Sequence, residues 1–151
     1  MLFVLFACAL LLVGTTLLHY EVLRALNTGL PALGIPNRSK LLVVILVTFL
    51  AHATEMAMYG GALYLLVTWL GVGNLSGTTG FSLTTYMYFS AETYTSLGFG
   101  DLTPTGPVRL LAGIEALNGL LLIGWSASFT YISMERFWVI NSPSEEKSDR
   151  P

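Results

Sequence analysis

Charge is what this sequence lacks. Only 11% of its residues are Asp, Glu, Lys or Arg, against roughly 25% in ordinary soluble domains. With 54% apolar residues and a mean hydropathy of +0.68, a water-facing surface built from it would aggregate, whereas a lipid-facing one would not. A net charge of −2 gives no electrostatic footprint for nucleic acid or for an acidic partner. Cys8 is the single cysteine, so no disulfide closes within one chain. It reads as a small apolar residue facing lipid or a neighbouring helix. The sequence has no Walker loop, no zinc-ligand spacing, no dinucleotide fingerprint and no internal repeat. No nucleophile–base set is visible, which argues against an enzyme. An arginine ladder of the kind a voltage sensor carries is also missing.

What is there is hydrophobic and comes in three blocks: Leu2 to Leu18, Leu41 to about Val72, and Val108 to about Ile140. A helix crossing the ~30 Å hydrocarbon core needs about 20 residues, so each reads as a transmembrane helix, the two longer ones tilted or projecting. The first has no basic start and no small-residue cleavage site, and is read as a helix rather than a signal peptide. Arg24, Arg38 and Lys40 lie between the first and second blocks, Arg136, Lys147 and Arg150 after the third, and only Arg109 between the second and third. Basic loops stay in the cytoplasm. The 19–40 connection and the tail are therefore expected inside a plasma (inner) membrane, with the N-terminus outside. Gly29, Pro31, Gly34 and Pro36 break the connection, and residues 19 to 27 are read as extending the first helix. The polar 141–151 tail is expected to be disordered.

Between the second and third blocks lies "AETYTSLGFGDLTP", residues 91 to 104. Residues 73 to 83 read as a loop, and residues 84 to 95 as a short helix capped by Ser82 or Thr84. Twelve helical residues rise only about 18 Å, too short to span. A short helix followed by glycine-rich backbone, with both ends on one side, is a re-entrant hairpin. Irregular backbone at membrane depth is tolerated only in protein or along a water-filled path. Gly98 and Gly100 fit left-handed φ at alternate positions, which turns successive carbonyls to one side. A ring of such oxygens replaces the hydration shell of a monovalent cation, and the helix C-terminus before it favours a cation below.

The run Ser96, Leu97, Gly98, Phe99, Gly100, Asp101 resembles the T-V-G-Y-G-D filter of the tetrameric potassium-channel pore family, here of the small bacterial two-helix type with an added N-terminal helix. The resemblance implies an all-α membrane homotetramer. Each subunit would carry three transmembrane helices, a re-entrant pore helix and a selectivity-filter loop. It implies that carbonyls of Ser96, Leu97, Gly98 and Phe99, with the Ser96 hydroxyl, line K+ sites closed by Gly100. Glu92, nine residues before Asp101, matches the acid that meets it behind the filter in many members. Gly119 and Gly124 fall where inner-helix hinge glycines lie. The family pore covers roughly residues 41–140, and residues 1–40 stand outside it. Phe99 lacks the tyrosine hydroxyl, and Tyr88 and Phe89 stand where tryptophans usually anchor it. The clamp on filter width is thus altered, and Ser96 in place of threonine drops a methyl.

The remaining polar residues divide between bracing and function. Glu92 either bonds filter amides or acts as a proton-sensitive gate, sharing a proton with Asp101. Glu115 is expected to brace the pore helix rather than touch an ion, with Asn118 in the same network. His52 and Glu55 share a helix face and pair with each other or turn to Glu115. As two ligands on one helix, with no cysteine or second histidine in support, they are too few for a metal. His19 is expected to be solvated near the cytoplasmic interface. Ile123, Ala127, Tyr131 and Glu135 repeat every four residues as one stripe that faces the pore if Gly119 is the hinge. A Glu135 ring would concentrate cations there, unless Glu135 pairs with Arg136 or meets solvent. The expectation is passive potassium conduction without a cofactor, in membrane lipid. The alternatives are a weakly selective cation channel and a non-conducting accessory subunit.

Overall fold

The computed structural model describes residues 1–77 and 82–139. The uncharged first block forms α1, Leu2–Gly29, and a single 3-10 turn, Leu30–Ala32, ends it at Pro31. The chain then extends through Leu33, and α2, Asn37–Thr68, starts after Pro36. Proline presets φ and lacks a donor that the first turn would leave unused. Gly71 and Gly73, both at positive φ, close α2 and redirect the chain. The short helix is α3, Leu83–Tyr94, and the third block is α4, Val108–Val139. Among the described residues three helices are long and apolar enough to cross a membrane: Leu2–Ala32, Asn37–Thr68 and Val108–Phe137. The 28 residues of α1 and the 32 of α2 and of α4 give lengths of about 42–48 Å, more than the ~30 Å hydrocarbon layer.

The expectation of an all-helical chain with a plain loop at 73–83 is corrected in one place. Asn74–Gly77 (β1) and Leu102–Thr105 (β2) pair antiparallel, from Asn74 opposite Thr105 to Gly77 opposite Leu102. This ribbon joins the segment entering α3 to the one leaving the 96–101 turn. The 141–151 tail lies outside the described residues.

Two packed regions hold the helices together. Around α3, Tyr59, Leu63, Tyr86, Tyr94 and Leu111 are buried with Val4, Cys8 and Leu11 of α1. At the other end Leu23, Leu26 and Leu30 meet Val44 and Phe137. In lipid this apolar contact is a weak arbiter, because acyl chains are as apolar as leucine. Close approach at small residues and polar contacts decide which faces meet. Gly119 is such a residue: a Cβ there would lie 2.1 Å from the Tyr94 carbonyl oxygen, so α4 reaches the end of α3 only with glycine. Gly60 is similar but looser, with the Tyr86 carbonyl 3.1 Å from an added Cβ. Threonine hydroxyls within the spans bond back along their own helix, as Thr48 does to the Val44 carbonyl at 2.8 Å and Thr130 to the Ser126 carbonyl at 2.8 Å. That satisfies them where water is absent.

Candidate functional site

The end of α3 sets the backbone that follows. Thr95 N–H donates to the Ala91 carbonyl at 3.2 Å and Ser96 N–H to the Thr93 carbonyl at 3.0 Å. Leu97 and Gly98 N–H both donate to the Glu92 carbonyl, at 2.9 and 3.2 Å. Phe99 N–H then donates to the Glu92 side chain, Oε2, at 3.0 Å. Four consecutive amides, 96 to 99, thus point at α3. Among the described residues none of the carbonyls of 96–99 accepts a hydrogen bond. Left-handed φ recurs at alternate positions: +57° at Ser96, +55° at Gly98 and +82° at Gly100. Alternation was expected at the two glycines, and Ser96 extends it by one step. For an L-residue this conformation costs roughly 1–2 kcal/mol. No atom lies within 4 Å of a Cβ built on Gly98 or Gly100, so conformation rather than space calls for glycine there.

The side chains around this turn sort themselves unequally. The Tyr88 ring stacks on Phe99 at 6.4 Å with planes 2° apart, and its hydroxyl lies 3.4 Å from Asp101 Oδ1. That bond is long and the pair exposed, whereas Phe89 is buried in the interior. Burial pushes the Glu92 carboxyl above its ordinary range; the Phe99 N–H opposes the shift and the nearby Asp101 charge adds to it.

Glu115 on α4 is buried and accepts a hydrogen bond from the Ser90 hydroxyl of α3, which also lies 2.7 Å from the Met56 carbonyl of α2. Asn118 does not join Glu115. Its Nδ2 donates to Thr15 Oγ1 at 2.8 Å and to the Tyr59 hydroxyl at 3.2 Å, tying α4 to α1 and α2. Gly119 faces α3, while Gly124 has open space around a Cβ. Ile123, Ala127, Tyr131 and Glu135 are all exposed on the face of α4 turned away from the other helices.

Sequence reasoning placed His19 in solvent, and the structure overturns this. His19 is fully buried, with Nδ1 2.8 Å from Glu55 Oε1. His52 Nδ1 lies 3.2 Å from Glu55 Oε2 and 2.9 Å from the Tyr94 hydroxyl, which itself donates to Glu55 Oε2. Ser126 Oγ of α4 sits 3.0 Å from Nε2 of both rings. The five side chains form a closed ring drawn from α1, α2, α3 and α4. His52 and Glu55 pair with each other, as one alternative had it, and not with Glu115. The missed residues are His19, Tyr94 and Ser126. Polar residues in or beside apolar stretches were the one signal available, and it did not say which would meet.

A family model described as "Ion channel" matches residues 40–136, from the start of α2 through most of α4. It takes in α3 and the 96–101 turn and leaves α1 outside. No curated protein and no solved structure matches the chain.

Proposed function

We infer a potassium-selective pore from one premise: the chain belongs to the ion channel family that its residues 40–136 match. Four copies surround one axis, each supplying the carbonyls of Ser96, Leu97, Gly98 and Phe99 as ligands in place of water. The observation that carries this reading is the one-sided backbone, with amides 96–99 spent on α3 and the carbonyls beside them unpartnered. Unpaired carbonyls held away from water cost about 1–3 kcal/mol each, and a dehydrated cation offsets that cost. A single strand cannot surround an ion, so closed fourfold symmetry follows from the same reading. Ions enter dehydrated and move by knock-on, without a cofactor and without chemistry.

The exposed stripe Ile123, Ala127, Tyr131 and Glu135 supports a cavity lined by α4 below the turn, with Glu135 as an acidic ring at its inner mouth. Gly124, unencumbered, suits a bend better than Gly119, which packing holds against Tyr94. The basic residues at 24, 38, 40 and 136 support an orientation in the plasma (inner) membrane with the N-terminus outside and the 19–40 connection in the cytoplasm.

Bi-ionic reversal potentials of the purified chain in a planar bilayer test the reading. A strong preference for potassium over sodium is expected, and a permeability ratio near one rejects it. The second reading, a weakly selective cation channel, rests on Phe99, whose ring meets Tyr88 by stacking alone and has no hydroxyl to fix the width of the turn. Absence of any flux from liposomes would leave the third, a non-conducting membrane subunit.

A further inference from the structure

The ring of His19, His52 and Glu55 is not needed to explain conduction, and two of its three members carry the only histidines in the chain. We propose that these three side chains form a binding site for a divalent first-row transition-metal ion of the zinc class, which locks the N-terminal helix α1 onto α2.

The donor set is the first reason. Two imidazoles and one carboxylate with an open fourth position are a standard ligand set for such an ion. One ligand atom from each residue lies within 4.8 Å of the others. Bonds of about 2.0–2.2 Å in a tetrahedron put ligand atoms about 3.3 Å apart, so closure needs side-chain movements on the order of 1 Å. His52 and Glu55 stand one turn apart on α2, and His19 comes across from α1, so the ion would bridge helices rather than decorate one.

Hydrogen accounting is the second reason. Both Nδ1 atoms face the Glu55 carboxylate, which only accepts, and the nearby Tyr94 hydroxyl spends its hydrogen on the same carboxylate. Both Nε2 atoms face one hydroxyl, Ser126, which has a single hydrogen to give. Without a cation, the ring closes only if one imidazole carries two hydrogens or the carboxyl keeps one. With an ion bound to both Nδ1 atoms, each ring carries its hydrogen on Nε2, and both donate to Ser126. Tyr94 then holds the free carboxylate oxygen. Ser126 and Tyr94 become the outer groups that orient metal-bound histidine and carboxylate. His52, with a side chain 16% exposed, is the way in.

The consequence is mechanical. Tyr94 is the last residue of α3, two positions before Ser96, and Ser126 lies on α4, so an ion at this point would stiffen all four helices around the turn.

The test uses the full chain in detergent, purified without a histidine tag and titrated with Co2+ as the probe. One Co2+ per chain is expected, with the intense visible absorption of a four-coordinate ion. His19→Asn and His52→Asn should each weaken binding by about 100-fold, and Ser126→Ala by about 10-fold, within the range known for outer groups. His52→Cys keeps a ligand and should retain binding, adding a sulfur-to-cobalt band in the near ultraviolet. That guards against loss through misfolding. Failure of the unaltered chain to bind Co2+, or an affinity in both Asn variants equal to that of the unaltered chain, overturns the proposal. So does a weak six-coordinate spectrum that His52→Cys leaves unchanged. None of these readouts depends on whether the chain conducts.

Discussion

The turn at 96–101 and the ring around Glu55 are both polar backbone-and-side-chain arrangements in an apolar chain, and they are finished in opposite ways. The ring lies inside one chain: each member meets another, and all but His52, whose side chain is 16% exposed, are buried. The turn faces outward: the amides of 96–99 are spent on α3, among the described residues the carbonyls of 96–99 accept no hydrogen bond, and Leu97 and Phe99 are 59% and 66% exposed. Side chains that meet inside a chain hold its helices together, whereas carbonyls turned out of it are free to meet an ion. The pair therefore separates side chains that stabilise the fold of one chain from backbone that faces out of it.

Breaking the ring should have the largest effect on stability. Glu55→Leu removes the acceptor that fully buried His19 Nδ1 and the Tyr94 hydroxyl face, and removing one partner of a buried pair costs about 3–5 kcal/mol. Thermal unfolding in detergent should show the loss, with accelerated hydrogen exchange in α1. Breaking the turn should do the reverse. Gly98→Ala forces a left-handed alanine, at about 1–2 kcal/mol per copy. If the proposed fourfold pore holds, flux should fall at least about 100-fold, while thermal unfolding should register a loss of no more than about 1–2 kcal/mol.

The two α4 glycines sharpen the contrast at smaller scale. Gly119→Ala drives a methyl into the Tyr94 carbonyl and should cost about 1–3 kcal/mol through overpacking. Gly124→Ala meets nothing and should leave stability unchanged or raise it by up to about 1 kcal/mol, so an effect on flux there would report bending rather than folding. The smallest effect is expected at Glu92. Its carboxyl is raised by burial, so the folded chain holds that proton more tightly than the unfolded chain does. The stabilising contribution is therefore full in acid and lost as pH rises through the raised value. Glu92→Gln should remove that slope from the melting curve. If the pH dependence of flux also survives the substitution, Glu92 is not the sensor.

Much of this could be read from residue order. Three apolar blocks announced three spanning helices, because length and hydropathy suffice for that. The glycines at 98 and 100 announced the backbone alternation, because a positive φ selects glycine. Contacts between blocks were not legible. His19 and Glu55 are 36 residues apart, and their meeting depends on how α1 is rotated about its axis. In a helix apolar on every side no stripe of hydrophobicity reveals that rotation. The β1–β2 ribbon was missed for a different reason. Asn-Leu-Ser-Gly and Leu-Thr-Pro-Thr are too short, and too mixed in glycine and proline, to show a two-residue alternation. The inward face of Gly119 was likewise invisible until Tyr94 was seen against it.

The ribbon carries one more consequence. Because Gly77 sits opposite Leu102, the chain departs from and rejoins the helical frame at a single point. Between those residues α3 is held to the frame a second time, by Ser90 at the Met56 carbonyl and by Tyr94 at Glu55. A graft meant to carry the turn would therefore have to bring the faces of α2 and α4 that receive α3, and not Asn74–Thr105 alone.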